Sequence, residues 1–188
     1  MSIDEQTILT LDEFLALPET KPATEFWNAQ PKEKPTPTTK HSIIQTKLAA
    51  KLDAAAETKQ PRLGRAMSEL RCTFAGKSIV PDISYVRRER LLLDPDGRVA
   101  DRFLAAPDLA VEIVSPEQSQ FELVEKLAWC VHNGVSLAWL IDPDSEDVMV
   151  FSPINIPRVV PRDGSLEGGE VLPGFRCSVT ELFGWLRE

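Results

Sequence analysis

Between residues 41 and 57, apolar side chains recur at Ile44, Leu48, Ala49, Leu52 and Ala55. That spacing lines one face of an α-helix. A second amphipathic stretch, Phe121-Glu-Leu-Val-Glu-Lys-Leu-Ala-Trp-Cys-Val131, predicts a helix over 119–133, with Gly134 as its left-handed stop. Thr10-Leu-Asp-Glu13 and Ser178-Val-Thr-Glu181 are capping-box patterns. The first opens a short helix to Leu17 and the second a closing helix. Apolar runs of strand length fall at 68–74, 79–86, 109–114, 136–141 and 147–151, with a further strand predicted around Val171. Gly76 in Ala75-Gly-Lys-Ser78 suits a hairpin turn between the first two. Residues 87–106 read as a loop with a short helical turn, and 21–40, with Pro22, Pro31, Pro35 and Pro37, as an irregular connection. This order implies an α/β fold, a central mixed β-sheet flanked by helices. The expected organisation is one domain over 1–188, in which 1–40 form an N-terminal helix and an irregular or β extension, and 41–188 the core.

Two carboxylates interrupt the apolar strand runs. Asp82 lies in Ser78-Ile-Val-Pro-Asp-Ile-Ser-Tyr-Val86, and Glu112 in Pro107-Asp-Leu-Ala-Val-Glu-Ile-Val114. A charge inside a buried strand costs several kcal/mol unless it is paired or binds a metal. The two acids, 30 residues apart, could project from adjacent strands, with the Ile113 carbonyl directed into the same cleft; the alternatives are a turn residue after Pro81 for Asp82 and a strand-end glutamate facing solvent for Glu112. Two carboxylates and a carbonyl form the hard-oxygen set that Mg²⁺ or Mn²⁺ prefers. Such an ion polarises a phosphodiester and lowers the pKa of attacking water. Lys126 follows on the helix, on a face shared with Leu123 and Cys130. Two readings stand for it: an ammonium that reaches solvent along its stem, or a fixed positive charge beside the scissile phosphate.

Composition and charge bound the alternatives. With 43% hydrophobic and 27% charged residues, the chain has the make-up of a soluble globular protein. Its longest apolar runs are too short to span a bilayer, and Met-Ser-Ile-Asp-Glu at the start is no secretory signal. Cys72, Cys130 and Cys177 are odd in number and set among apolar neighbours, so they read as reduced core thiols of a cytoplasmic protein. The net charge of −8 works against nucleic acid, whose affinity rests on phosphate neutralisation. Between residues 60 and 90, however, seven basic residues face three acidic ones. Charge by itself decides neither way.

Five segments together resemble the Uma2 family of restriction-type endonucleases. They are Lys40-His-Ser-Ile-Ile-Gln45, Glu69-Leu-Arg-Cys-Thr-Phe74, Ser78-Ile-Val-Pro-Asp-Ile-Ser84, Pro107-Asp-Leu-Ala-Val-Glu-Ile-Val-Ser-Pro116 and Gly134-Val-Ser-Leu-Ala-Trp-Leu-Ile-Asp142. Leu172-Pro-Gly-Phe175 and Thr180-Glu-Leu-Phe183 extend the likeness to the tail. The resemblance implies the PD-(D/E)XK nuclease fold, with Asp82 and Glu112 as the motif acids. Val114 stands where such nucleases often keep their lysine, so Lys126 takes the part of a migrated one. His41 matches a position where the family usually has histidine, and Gln45 is one turn further along. Ahead of that helix, Glu25-Phe-Trp-Asn-Ala-Gln30 departs from the acidic Asn-Gly-Glu turn of many relatives, which counts against an extra acidic contact from the N-terminal hairpin.

The expected function is metal-dependent endonuclease cleavage of nucleic acid, with DNA as the expected substrate. Asp82, Glu112, Lys126 and His41 are its candidate catalytic residues, and Asp82, Glu112 and Ile113 hold Mg²⁺ or Mn²⁺. His41 either orients a water or phosphate, its imidazole allowing both protonation states, or bonds neighbouring backbone at a helix start. Gln45, Glu69 and Arg71 are supporting candidates. Glu69 and Arg71 are expected on one face of the strand before Asp82, as a support for the site or as an ion pair. The rival readings are an inactive nuclease fold that binds nucleic acid, and a homodimeric interaction module. A homodimer is expected in the enzymatic reading too, since many enzymes of this fold cut two strands as dimers.

Overall fold

In the computed structural model, which describes residues 9–116 and 118–187, the chain opens with α1 (Leu11–Leu15), β1 (Thr24–Trp27) and β2 (Gln30–Glu33). The long helix α2 (Thr39–Glu57) leads to β3 (Gly64–Ser68), β4 (Cys72–Phe74), β5 (Lys77–Ile79) and β6 (Ile83–Arg87), closed by a 3₁₀ turn at Arg88–Arg90. Then come β7 (Leu109–Ile113), α3 (Gln120–His132), β8 (Leu137–Asp142), β9 (Asp147–Ser152) and β10 (Asn155–Val160). The chain ends with β11 (Ser165–Glu167), β12 (Arg176–Ser178) and α4 (Val179–Gly184).

Six strands form the central sheet in the order β10-β9-β8-β7-β6-β3. β7 and β8 run parallel while the other neighbours are antiparallel, so the sheet is mixed, as its pattern predicts. A parallel pair needs a crossover, and α3 provides it. Ile44, Leu48 and Leu52 of α2 pack with Ile83, Tyr85, Val111 and Ile113. Leu123, Leu127 and Cys130 of α3 pack with Val86, Ala110 and Ala138. Strand alternation thus gives each helix its own apolar layer. A smaller sheet, β2-β1-β5-β4, stands beside the central one. No helix among the described residues is long and apolar enough to cross a membrane.

The caps follow the sequence. Thr10 Oγ1 accepts from the Glu13 amide, with the reciprocal Glu13 contact of a capping box, and Ser178 caps α4 through the Glu181 amide. Ala75 and Gly76 both have positive φ, 46° and 78°, the geometry of a two-residue hairpin turn between β4 and β5.

The strand predictions differ in three places. The run 68–74 is not one strand: Glu69, at φ 52°, turns the chain from β3 into β4, which belongs to the other sheet. Glu69 and Arg71 therefore do not share a strand face. The run 79–86 breaks at Val80-Pro81-Asp82 between β5 and β6, because proline has no N–H for the ladder. Asp82 thus sits at a strand break and not inside a strand. Val171 lies in the turn linking β11 and β12, not in a strand. β1 and β2 fall in the stretch expected as an irregular or β extension, whereas β10, β11, β12 and all of β3 before Ser68 go unpredicted. β10 is an edge strand, exposed along most of its length and carrying Pro157, a residue that sheets admit at their edges.

Candidate active site

The break between β5 and β6 leaves the backbone groups of Val80 without ladder partners, and two side chains from the β1–β2 hairpin region take them. The Val80 amide donates to Glu25 Oε1 at 2.6 Å, and the Val80 carbonyl accepts from Lys34 Nζ at 2.6 Å. Beyond the break, the Asp82 carbonyl accepts from Gln45 Nε2 at 2.9 Å and from the Glu69 amide at 3.2 Å. The backbone that presents Asp82 is therefore fixed from three elements.

The side chains of Asp82 and Glu112 converge. Asp82 Oδ2 accepts the Ile113 amide at 2.7 Å, which ties it to β7. Its Oδ1 lies 2.6 Å from Lys34 Nζ and 3.4 Å from His41 Nε2. Glu112 Oε2 lies 3.7 Å from the same Lys34 nitrogen, and its Oε1 is 2.7 Å from Lys126 Nζ. Lys126 Nζ also donates to Glu25 Oε1 at 2.6 Å. Three carboxylates, Glu25, Asp82 and Glu112, are thus interleaved with two ammonium groups, none of the five side chains more than 12% exposed.

The titration behaviour follows from that interleaving. Burial alone would raise the Asp82 carboxyl, but the Lys34 ammonium and His41 hold it well below the usual carboxylate range. Burial pushes Glu112 upward against the pull of Lys126 and Lys34. Burial opposes the charge of Lys126, yet Glu112 and Glu25 keep it above the ordinary lysine value. Lys34 is raised in the same way, burial being outweighed by Glu112 and Asp82.

Of the residues singled out in the sequence, the fold brings Asp82, Glu112, Lys126, His41 and Gln45 together. His41 does not spend its side chain on backbone at the helix start. Its Nδ1 lies 3.2 Å from Ser115 Oγ while Nε2 faces Asp82, and Thr38 caps the helix instead. Lys126 does not reach bulk solvent; its side chain is 8% exposed. Ile113 enters through its amide. Glu69 contributes its backbone N–H, and Arg71 is engaged elsewhere, on Glu19 and on Ser78 Oγ.

Glu25 and Lys34 were not singled out. Glu25 lies in a four-residue strand with no alternation, and Lys34 follows a fully exposed one. The segment's departure from the family's turn argues against an acidic contact there, yet Glu25 supplies one to Lys126.

An ion fits this place. Asp82 Oδ1, Glu112 Oε2 and the Val80 carbonyl already surround one cation, the Lys34 ammonium, with oxygen atoms. Among the described residues no group of three or more His, Cys, Asp or Glu side chains is placed to hold a metal ion, so the oxygen set here is two carboxylates and a backbone carbonyl. A set of two carboxylates suits a hard dication that retains waters, as magnesium does.

A family model described as "Putative restriction endonuclease", Uma2, matches residues 11–180. The chain belongs to the Uma2 family. A solved structure titled as a putative nuclease belonging to DUF820 from Anabaena variabilis ATCC 29413 is similar over 95% of this chain and 99% of that one. The two are 38% identical with a TM-score of 0.91. A search of curated proteins found no match. Family and fold are those of a nuclease, with the restriction-endonuclease-like core that the sequence resemblance implied.

Proposed function

We propose that this Uma2 protein is a divalent-metal-dependent endonuclease acting on DNA. The observation that carries the reading is the convergence of Asp82, from the β5–β6 break, and Glu112, from β7, on one cation position beside a second, enclosed lysine. Asp82 and Glu112 would hold Mg²⁺ or Mn²⁺, with backbone carbonyl oxygen from Val80 or Ile113 completing the oxygen set. When bound, the metal supplies Lewis-acid polarisation of the phosphodiester and a lowered pKa for the attacking water.

The chain's own residues do the rest. Glu25 and Glu112 hold the Lys126 ammonium charged and fixed, so it can stabilise negative charge developing on the phosphate without reorganising. His41, oriented by Ser115, stands beside Asp82 and can position the scissile phosphate or a water. Gln45 and the Glu69 amide keep the Asp82 backbone in register. Cutting both strands of a duplex calls for two such sites, so a homodimer belongs to the same proposal.

The test is nicking of supercoiled plasmid with Mg²⁺ or Mn²⁺. Activity should vanish with chelator and in Asp82→Ala and Glu112→Ala, and persist in His132→Ala, which lies at the far end of α3. DNA binding without cleavage, unchanged by the two acid substitutions, would overturn the enzymatic reading in favour of an inactive nuclease fold.

A further inference from the structure

Lys34 begins the segment joining β2 to α2, and the chain from 34 to 37 forms a strap over the site. The strap separates two clefts that both use Lys34 and Pro35 as walls. One, about 350 Å³, is lined also by Glu25, Trp27, Glu122 and Lys126. The other, about 860 Å³, is lined also by His41, Glu69, Arg71 and Asp82. Asp82 and Lys126 are thus reached from opposite sides of one thin partition.

Two features make that partition removable. Thr36 and Pro37 are exposed, so lifting them uncovers little apolar surface. Pro35 and Pro37 offer no N–H to anchor the strap. The Lys34 amide donates to the Ala23 carbonyl at 2.9 Å and hinges the strap at its start, while the Lys34 side chain is held through Asp82 Oδ1 at 2.6 Å and the Val80 carbonyl at 2.6 Å. Lys126 differs, since it rises from a helix packed on the sheet and is clamped by two carboxylates.

Charge sets the choice between occupants. Leaving His41 aside, the three carboxylates carry one more charge than the two ammonium groups balance. Adding a dication while Lys34 stays would leave an excess positive charge in a buried place. Exchanging Lys34 for a dication leaves Lys126 and the ion to neutralise Glu25, Asp82 and Glu112 fully.

We propose that Lys34 is a tethered cation occupying the metal position, and that a divalent ion displaces it. The 34–37 strap then swings outward about its Lys34–Ala23 backbone anchor and the two clefts join into one groove for a phosphodiester strand. This rests on the metal-nuclease reading, since it takes Asp82 and Glu112 as the ion's ligands.

Chelator-treated wild type, Lys34→Gln, Lys34→Arg and Asp82→Asn are titrated with Mn²⁺ by calorimetry. Lysine acetylation of the wild type is mapped with and without saturating Mn²⁺. Lys34→Gln should bind Mn²⁺ about tenfold tighter than wild type, because no competing cation must leave first. Lys34→Arg should bind no tighter than wild type. In the wild type, Mn²⁺ should speed acetylation of Lys34 and leave Lys126 protected. Should Lys34→Gln fail to fold, the wild-type labelling decides. Equal or weaker Mn²⁺ binding by folded Lys34→Gln, or Lys34 labelling unmoved by Mn²⁺, overturns the proposal while binding that is lost in Asp82→Asn leaves the nuclease reading standing. Absence of Mn²⁺ binding in wild type and Lys34→Gln alike, or binding that survives Asp82→Asn, overturns both.

Discussion

Glu25 Oε1 and Lys126 Nζ lie 2.6 Å apart across 101 residues of sequence. The same oxygen takes the Val80 amide, so a single carboxylate fixes both the lysine and the strand break that presents Asp82. Removing one partner of a buried ion pair leaves the other charge uncompensated, at a cost of about 3–5 kcal/mol. Glu25→Ala is therefore expected to lower the urea midpoint strongly. Glu25→Gln keeps an acceptor for Val80 and should lose less stability, yet nick DNA about tenfold more slowly. Wild-type nicking by Glu25→Gln would show that Lys126 works without this anchor.

Which parts of this arrangement are readable from the chain depends on whether they rest on local periodicity. α2, α3 and β7 declare themselves because Ile44, Leu48 and Leu52, or Leu109, Val111 and Ile113, repeat at the period of their element. Asp82 and Glu112 stand out against those apolar runs, which is why the two acids were legible. Glu25 and Lys34 break no pattern. β1 and β2 are short, and β2 is exposed throughout, so nothing nearby marks their residues as buried. Their role exists only once the hairpin docks on the β5–β6 break. Glu69 shows the converse error: an apparently continuous strand bends at one left-handed residue and crosses between sheets, a choice made by tertiary pairing.

The three cysteines should behave as buried, protonated thiols. Burial pushes the Cys72 thiol up to about 12 and Cys177 likewise to about 12, and it raises Cys130 as well. A thiol raised in the folded state contributes stability that is present below its unfolded value near 9.0 and is lost as pH climbs toward the folded one. At pH 10 the loss for fully buried Cys72 is on the order of 1 kcal/mol. Native protein at pH 8 should leave all three unmodified by a disulfide reagent, and urea should release three. Labelling of Cys72 in folded protein at that pH would contradict its enclosure.

Asp108 is a structural counterpart to the site acids. It is fully buried and accepts the Arg87 amide at 2.9 Å, Arg87 Nε at 2.8 Å and Arg90 Nη1 at 2.8 Å. Its carbonyl also receives the Ser136 and Leu137 amides where β8 begins. Both arginines retain partial access to water, so Asp108→Ala should cost about 2–3 kcal/mol, toward the lower end for a broken buried pair. Denaturant unfolding would measure it. Mn²⁺ affinity should be unchanged at a concentration where the variant is folded, which separates this cluster from the one around Asp82.

His41 and Ser115 make the last prediction. Ser115 lies just past β7 and meets His41 Nδ1 at 3.2 Å, which turns the other ring nitrogen toward Asp82 at 3.4 Å. If His41 acts through that orientation, Ser115→Ala should slow nicking in the same direction as His41→Ala but by less. Partners that orient a site residue in this way typically contribute about 10–100-fold. The double variant should then be no slower than His41→Ala alone, because the serine has nothing left to orient. Thermal melting of all three confirms that folded proteins are compared. Additive losses in the double variant would mean that Ser115 serves the fold or the substrate independently of the imidazole.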